Sequence, residues 1–177
     1  MQMEPTFTKG NVVVFRASGM ARVEGRVEFD VHGQRAAFYE VSEASQRSLV
    51  PVEKAAEMLR NPVTEAEARE MLALLKLPGV NADDRPWEER FAELLRVIEV
   101  GTPMQHAAIL RRLYATAATS HGDEDRLATA VGLFEDLVLS ELAHVLHTPR
   151  GQIERELRAL HPAAMPPESA NSATVRS

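Results

Sequence analysis

Through the first fifty residues apolar positions tend to alternate with polar ones; from residue 52 onward they recur at helical spacing. Asn11–Phe15 is a β-branched run ending in an aromatic. Arg22–Phe29 alternates polar with apolar or small residues, the period-2 pattern of a half-buried strand. Asp30-Val31-His32-Gly33 supplies a turn whose glycine accepts positive φ, and Arg35–Val41 returns through Phe38 and Tyr39. A polar stretch, Ser42–Gln46, leads to a last strand over Arg47–Val50, ended by Pro51. Four or five short strands in so few residues predict a small, strongly bent sheet or SH3-like barrel.

The helical half opens with a short helix over Glu53–Arg60, stopped at Asn61-Pro62. Thr64 with Glu67 three positions on is a capping box, followed by the stripe Ala68, Met71, Leu72 and Leu75. Leu77–Asp84 reads as a loop. A further helix starts near Arg85-Pro86, with Asp83 and Asp84 favourably placed for its dipole and an inward stripe of Trp87, Phe91, Leu94, Leu95 and Ile98. It closes at Gly101. Thr102-Pro103 begins the next, with Gln105 at the box position and Ala107, Leu110, Tyr114 and Ala117 on one face. After a break at Ser120-His121-Gly122, a long helix runs from about Asp123 to His147 with Leu127, Val131, Phe134 and Val138 inward. Thr148-Pro149 begins the last, with Ile153, Leu157 and Leu160 inward, and a Pro/Ser/Ala-rich tail is expected to be disordered.

Composition narrows the function. The 177 residues include no cysteine, so disulfide frameworks and thiolate chemistry drop out. No signal-peptide pattern and no apolar run of membrane-spanning length is present, and a soluble cytoplasmic protein is expected. The net charge is −6, while residues 1–51 balance six basic against six acidic side chains, so the excess acid lies in the helical half. Autonomous DNA binders usually show duplex a strongly basic face. This chain should bind free DNA poorly, and if it works on DNA something else must hold it there.

No catalytic constellation assembles: there is no phosphate loop and no nucleophile elbow, so a non-enzyme without cofactor or metal is expected. Glu141, His144 and His147 lie three apart and could share a helix face, but no second carboxylate–histidine pair appears, and a polar helix end is expected instead of a metal site. Leu142–Leu160 resembles a helix-turn-helix with Arg150, Gln152, Arg155 and Arg158 available to a groove, diluted by Glu154 and Glu156. Trp87, the single tryptophan, has two readings. Its spacing to Phe91 and Leu94 suits a core cap, and its place in a first helical turn suits an indole projecting to wedge beside a base step.

The order of several short motifs resembles the CarD/CdnL family of bacterial RNA-polymerase-binding transcription regulators. Those motifs are Phe7-Thr8-Lys9-Gly10-Asn11-Val12-Val13-Val14-Phe15 with Gly19, Phe38-Tyr39, Leu49-Val50-Pro51-Val52-Glu53-Lys54-Ala55, and Arg85-Pro86-Trp87-Glu88-Glu89-Arg90. Glu88 and Glu89 stand where the family commonly carries polar and basic residues. The resemblance implies an α+β protein with a Tudor-like β module over residues 1–60, an all-helical DNA-contacting domain over 61–162 and a loose tail over 163–177. The β module would pair with the β subunit of RNA polymerase, with Arg26, Phe29, Arg47 and Leu49 at the contact. Trp87 would wedge into the minor groove at the upstream edge of the promoter bubble without reading sequence. Arg85, Arg90 and Arg96 would touch phosphates, and Trp87→Ala would leave the fold nearly intact. A monomer is expected, with no membrane partner. An autonomous helix-turn-helix protein using residues 142–160, or a protein–protein adaptor without DNA contact, are the alternatives.

Overall fold

The computed structural model describes residues 6–16, 18–43, 46–78, 83, 85–117 and 124–161. The N-terminal part is a five-stranded antiparallel sheet formed by β1 (Val12–Phe15), β2 (Gly19–Val31), β3 (Gln34–Glu43), β4 (Gln46–Pro51) and β5 (Leu59–Arg60). Spatial order is β4-β3-β2-β1-β5. The strands β2 and β3 extend well past the expected Arg22–Phe29 and Arg35–Val41, because a two-residue turn with positive φ at both His32 and Gly33 keeps them paired out to Val31 and Gln34. Asp30 Oδ1 accepts from the Gly33 N–H at 2.7 Å and closes that turn. Since β4 pairs only as far as Phe38, the outer third of this hairpin stands clear as a two-stranded ribbon.

The segment after Pro51 is a correction to the expected helix over Glu53–Arg60. A 3₁₀ turn at Val52–Lys54 and the single turn α1 (Ala55–Met58) are followed by β5, which pairs with β1 as Val14↔Arg60 and Phe15↔Leu59. Four helical residues cannot sustain themselves, whereas Leu59 buries fully in the sheet's core and Arg60 gains a strand partner. That core gathers Phe7, Val13, Ala21, Val23, Tyr39, Val41, Val50, Ala55 and Leu59 on one sheet face. Phe7 meets Tyr39 edge-on at 5.7 Å.

Five helices follow: α2 (Glu65–Lys76), α3 (Trp87–Val100), α4 (Pro103–Ala117), α5 (Glu124–Val145) and α6 (Arg150–Leu160). The Thr64/Glu67 box closes the start of α2, and Thr102 with Gln105 makes the reciprocal pair at α4. The helical core runs from Ala68, Met71 and Leu75 through Leu110 and Tyr114 to Phe134, Leu142, Ile153 and Leu157. Three expected core positions lie outside it: Phe91, Leu95 and Leu160 are exposed, because α3 rotates Leu94, Val97 and Ile98 inward and α6 ends at Leu160. Among the described residues no helix is long and apolar enough to cross a membrane. The expected break at Ser120-His121-Gly122 and the tail lie outside the described residues, as does most of the Leu77–Asp84 loop.

The two parts meet along α5. Register places Val14, Met20 and Arg60 on the sheet face opposite its core, together with Glu40, Arg47, Leu49, Val27 and Phe29 farther along. At the Val14 end α5 packs against β2, and Val14 is buried there. At the β4 end the same face is open among the described residues, with Leu49 and Phe29 exposed.

Candidate functional site

Two surfaces carry the sequence-derived site residues, one on each part of the molecule. On the sheet, Phe29, Arg47 and Leu49 share the open face, since Phe29 pairs with Ala36, Leu49 with Glu40, and Arg47 with Ser42. Phe29 is 47% and Leu49 49% exposed, and Val31 continues the apolar stripe toward the ribbon tip. Phe38 backs Phe29, their ring centroids 5.9 Å apart in an edge-to-face arrangement. The Arg47 guanidinium donates to Glu40 Oε1 at 2.9 Å while most of the side chain stays in water. A solvent-screened pair of that kind contributes little to stability and leaves the cation available.

Arg26 does not join this group. The irregular register between Val23 and Gly25 puts Arg26 opposite Tyr39, on the other face of the ribbon with Glu28 and Asp30. Period-2 alternation already separates Arg26 from Phe29, three positions on, and the extra residue near Glu24 instead changes which of them shares the core face of the strand's earlier half. The ribbon therefore has an apolar face continuous with Leu49 and a charged face carrying Arg26. β4 is one of the two edge strands, so among the described residues one row of its backbone groups has no strand partner. A groove of about 770 Å³ runs between the ribbon and the end of β4, lined by Val31, Arg35, Phe38, Pro51 and Glu53 among others.

The second surface lies at the start of α3. Pro86 precedes the helix and leaves Trp87 in its first turn. The indole is half-buried: it packs on the edge of the helical core, stacks against Phe91 with centroids 5.8 Å apart, and carries the Arg90 guanidinium 5.4 Å above its ring. A groove of about 310 Å³ opens beside it between α3 and α5, walled by Trp87, Phe91, Leu95, Leu133 and Phe134 with Arg126 at its rim. Phe91 and Leu95, expected as core, form its outer lip.

The basic residues around Trp87 divide. Arg85 is committed within the protein: it donates to Asp83 Oδ1 at 2.9 Å and Oδ2 at 2.7 Å, and also to Glu93. Arg112 of α4 closes the network on Glu93 at 2.9 Å. The Arg85 hydrogen bonds hold the Asp83 carboxyl down to about 2 against the opposing effect of burial, and Glu93 is likewise held below its ordinary range by Arg85 and Arg112. Asp83, read in the sequence as a helix-dipole partner, thus anchors arginines instead. Arg96 is exposed on α3, and Arg90 lies over the indole. Glu88 and Glu89 flank Trp87 in water.

Neither a family model nor a curated protein matches this chain.

The remaining sequence candidates resolve differently. Glu141 turns inward to Arg60, away from any shared site with the exposed His144 and His147, and among the described residues no group of three metal-ligating side chains occurs. In the α5–α6 hairpin, Arg150 is held by Asp136 at 2.7 Å, Glu154 at 2.6 Å and the Ser140 hydroxyl at 3.1 Å. Of the four groove-reading candidates Arg155 is exposed and Arg158 half-buried, while Gln152 leans 3.5 Å from Glu156. Two features had no sequence signal: the pairing of Glu141 with Arg60 and the groove between α3 and α5. Both arise from residues far apart in the chain.

Proposed function

We propose that this protein is a non-enzymatic transcription regulator of the CarD/CdnL type, with a Tudor-like β module that docks on the β subunit of bacterial RNA polymerase in the cytoplasm. The observation that carries the reading is the open sheet face, where Phe29 and Leu49 are exposed beside the edge strand β4. An apolar stripe next to an unpaired strand edge is a surface built for another protein's strand. Docking there holds the helical part near promoter DNA, so that an acidic protein reaches DNA through a contact made effectively intramolecular. Trp87 then sits against the upstream edge of the bubble, with Arg90 and Arg96 toward phosphates. Arg85 contributes by fixing the start of α3 through Asp83 and Glu93. Stabilising the open complex by about 1.4 kcal/mol multiplies its population tenfold.

A specific observation favours a second reading, an adaptor between two proteins without DNA contact. Trp87 is part of the wall of an apolar groove, and its nearest arginines are drawn into contacts with Asp83, Glu93 and the indole itself.

The deciding experiment measures affinity of the full chain for RNA polymerase, then the lifetime of a promoter complex with and without it. Leu49→Glu and Arg47→Glu are each expected to weaken polymerase binding about tenfold or more while leaving thermal stability unchanged, since both side chains are in water. Unchanged affinity in both variants would sink the docking assignment. A longer promoter-complex lifetime that Trp87→Phe reduces supports the wedge. A lifetime indifferent to Trp87 substitution, with polymerase binding intact, selects the adaptor.

A further inference from the structure

The linker between the sheet and the bundle is only Asn61-Pro62-Val63, and short linkers of this kind ordinarily permit hinge motion unless the interface is large and apolar. Here both ends of the linker converge on one side chain. Arg60, the last residue of β5, donates through Nη1 to Glu141 Oε1 at 2.6 Å and through Nη2 to Oε2 at 2.8 Å. Val63, one residue before the cap of α2, donates its backbone N–H to Glu141 Oε1 at 2.9 Å. Arg60 Nη1 also reaches the Asn61 carbonyl at 3.1 Å, closing the linker on itself. Glu141 is 2% exposed and lies in the last quarter of α5, the helix that packs on β2, α2, α4 and α6.

We propose that Arg60 and Glu141 form an orientational clamp that fixes the sheet against the helical bundle, making the molecule one rigid body instead of two modules on a hinge. A carboxylate this deeply buried is tolerated only while its partners stay in place, so opening the junction strands a charge out of water. A planar, two-pronged pair also specifies an angle, where apolar surfaces of comparable area can slide. The third element facing the pair is consistent with this role. The His106 ring of α4 lies near both charges, and its Nε2–H donates to the Val97 carbonyl at 2.9 Å. Burial lowers the imidazole's pKa and so disfavours a competing positive charge at the junction. A second backbone tie, from Arg16 Nη1 to the Glu99 carbonyl at 3.5 Å, links the same two parts at the end of α3. The clamp does not depend on what the protein binds.

The chain has no native cysteine, so two introduced ones report distance without background. Gln46→Cys on β4 and Ala92→Cys on α3 are both exposed, one on each part. Spin labels at these sites in the full chain should give a single narrow distance distribution. Adding Arg60→Ala is expected at least to double its width while amide spectra keep the dispersed signals of both parts. Arg60→Lys, which cannot grip both oxygens, should fall between. A distribution of unchanged width in folded Arg60→Ala overturns the clamp. Should that variant fail to fold, Arg60→Lys together with Glu141→Gln decides: broadening in either supports the clamp, and native width in both overturns it. The measurement uses neither polymerase nor DNA, so its outcome is separate from that of the functional reading.

Discussion

Single side chains show where physical context overrides a sequence pattern. Trp87 satisfies both of its readings at once, packed on the core's edge yet partly in water. Truncating it removes half-buried contacts with Phe91 and Arg90, and Trp87→Ala should cost about 2 kcal/mol in chemical denaturation, below the ~3–5 of a fully buried aromatic. The half-buried contacts make Trp87→Phe the cleaner probe of function. His106 gives a pH dependence whose sign follows from its surroundings. Burial lowers its pKa from 6.5, outweighing the hydrogen bond to Val97 and the Glu141 charge, with Arg60 acting in the same direction as burial. The folded protein then binds fewer protons than the unfolded chain around this group. Its contribution is complete above about pH 6.5 and is lost as pH falls through the lower folded-state value. Denaturation midpoints at about pH 7.5 and about pH 5.5 should differ more in the native chain than in His106→Gln. Equal differences would place the pH sensitivity elsewhere.

Individual elements were legible in proportion to how locally their physics is decided. The box at Thr64 and Glu67, the closure of α3 at Gly101 and the stripe of α5 were all readable, because capping and periodicity depend on neighbours a few residues away. The strand at Leu59–Arg60 was not, since its only reason to be extended is pairing with β1, more than forty positions earlier. The irregular residue at Glu24 was not readable, and it puts Arg26 on the face of Val23 although the two lie three positions apart. The end of α5 holds an unusual cap: His147 adopts φ +49°, a conformation in which side chains other than glycine are strained, while Thr148 N–H bonds back to the Ala143 carbonyl at 3.1 Å. His147→Gly should therefore raise stability by up to about 1 kcal/mol, read as a higher denaturation midpoint. A lowered midpoint would mean the imidazole contributes more than its backbone strain removes.

Across the whole molecule, charge and geometry set the conditions for activity. With a net charge of −6 and Arg85, Arg112 and Arg150 engaged by carboxylates, the protein should show no saturable binding to free duplex at physiological salt, measured by fluorescence anisotropy. Tight, salt-sensitive binding without polymerase would instead revive the α5–α6 hairpin as a groove reader. The α+β organisation and the two apolar cores were within reach of the sequence; their mutual placement was not, because it hangs on a carboxylate at position 141 meeting an arginine at position 60. That placement has a practical consequence for dissection. A fragment ending at residue 60 would contain all five strands, yet it would uncover Val14 and Met20, which lie on the very face that bears Leu49 and Phe29. Stripped of α5, the isolated sheet would add the apolar Val14 and Met20 to a face that already exposes Leu49 and Phe29, a surface prone to self-association and to sticking indiscriminately. Pull-downs with such a piece would overstate its appetite for partners, and α5 is in this sense the built-in chaperone of the sheet it covers.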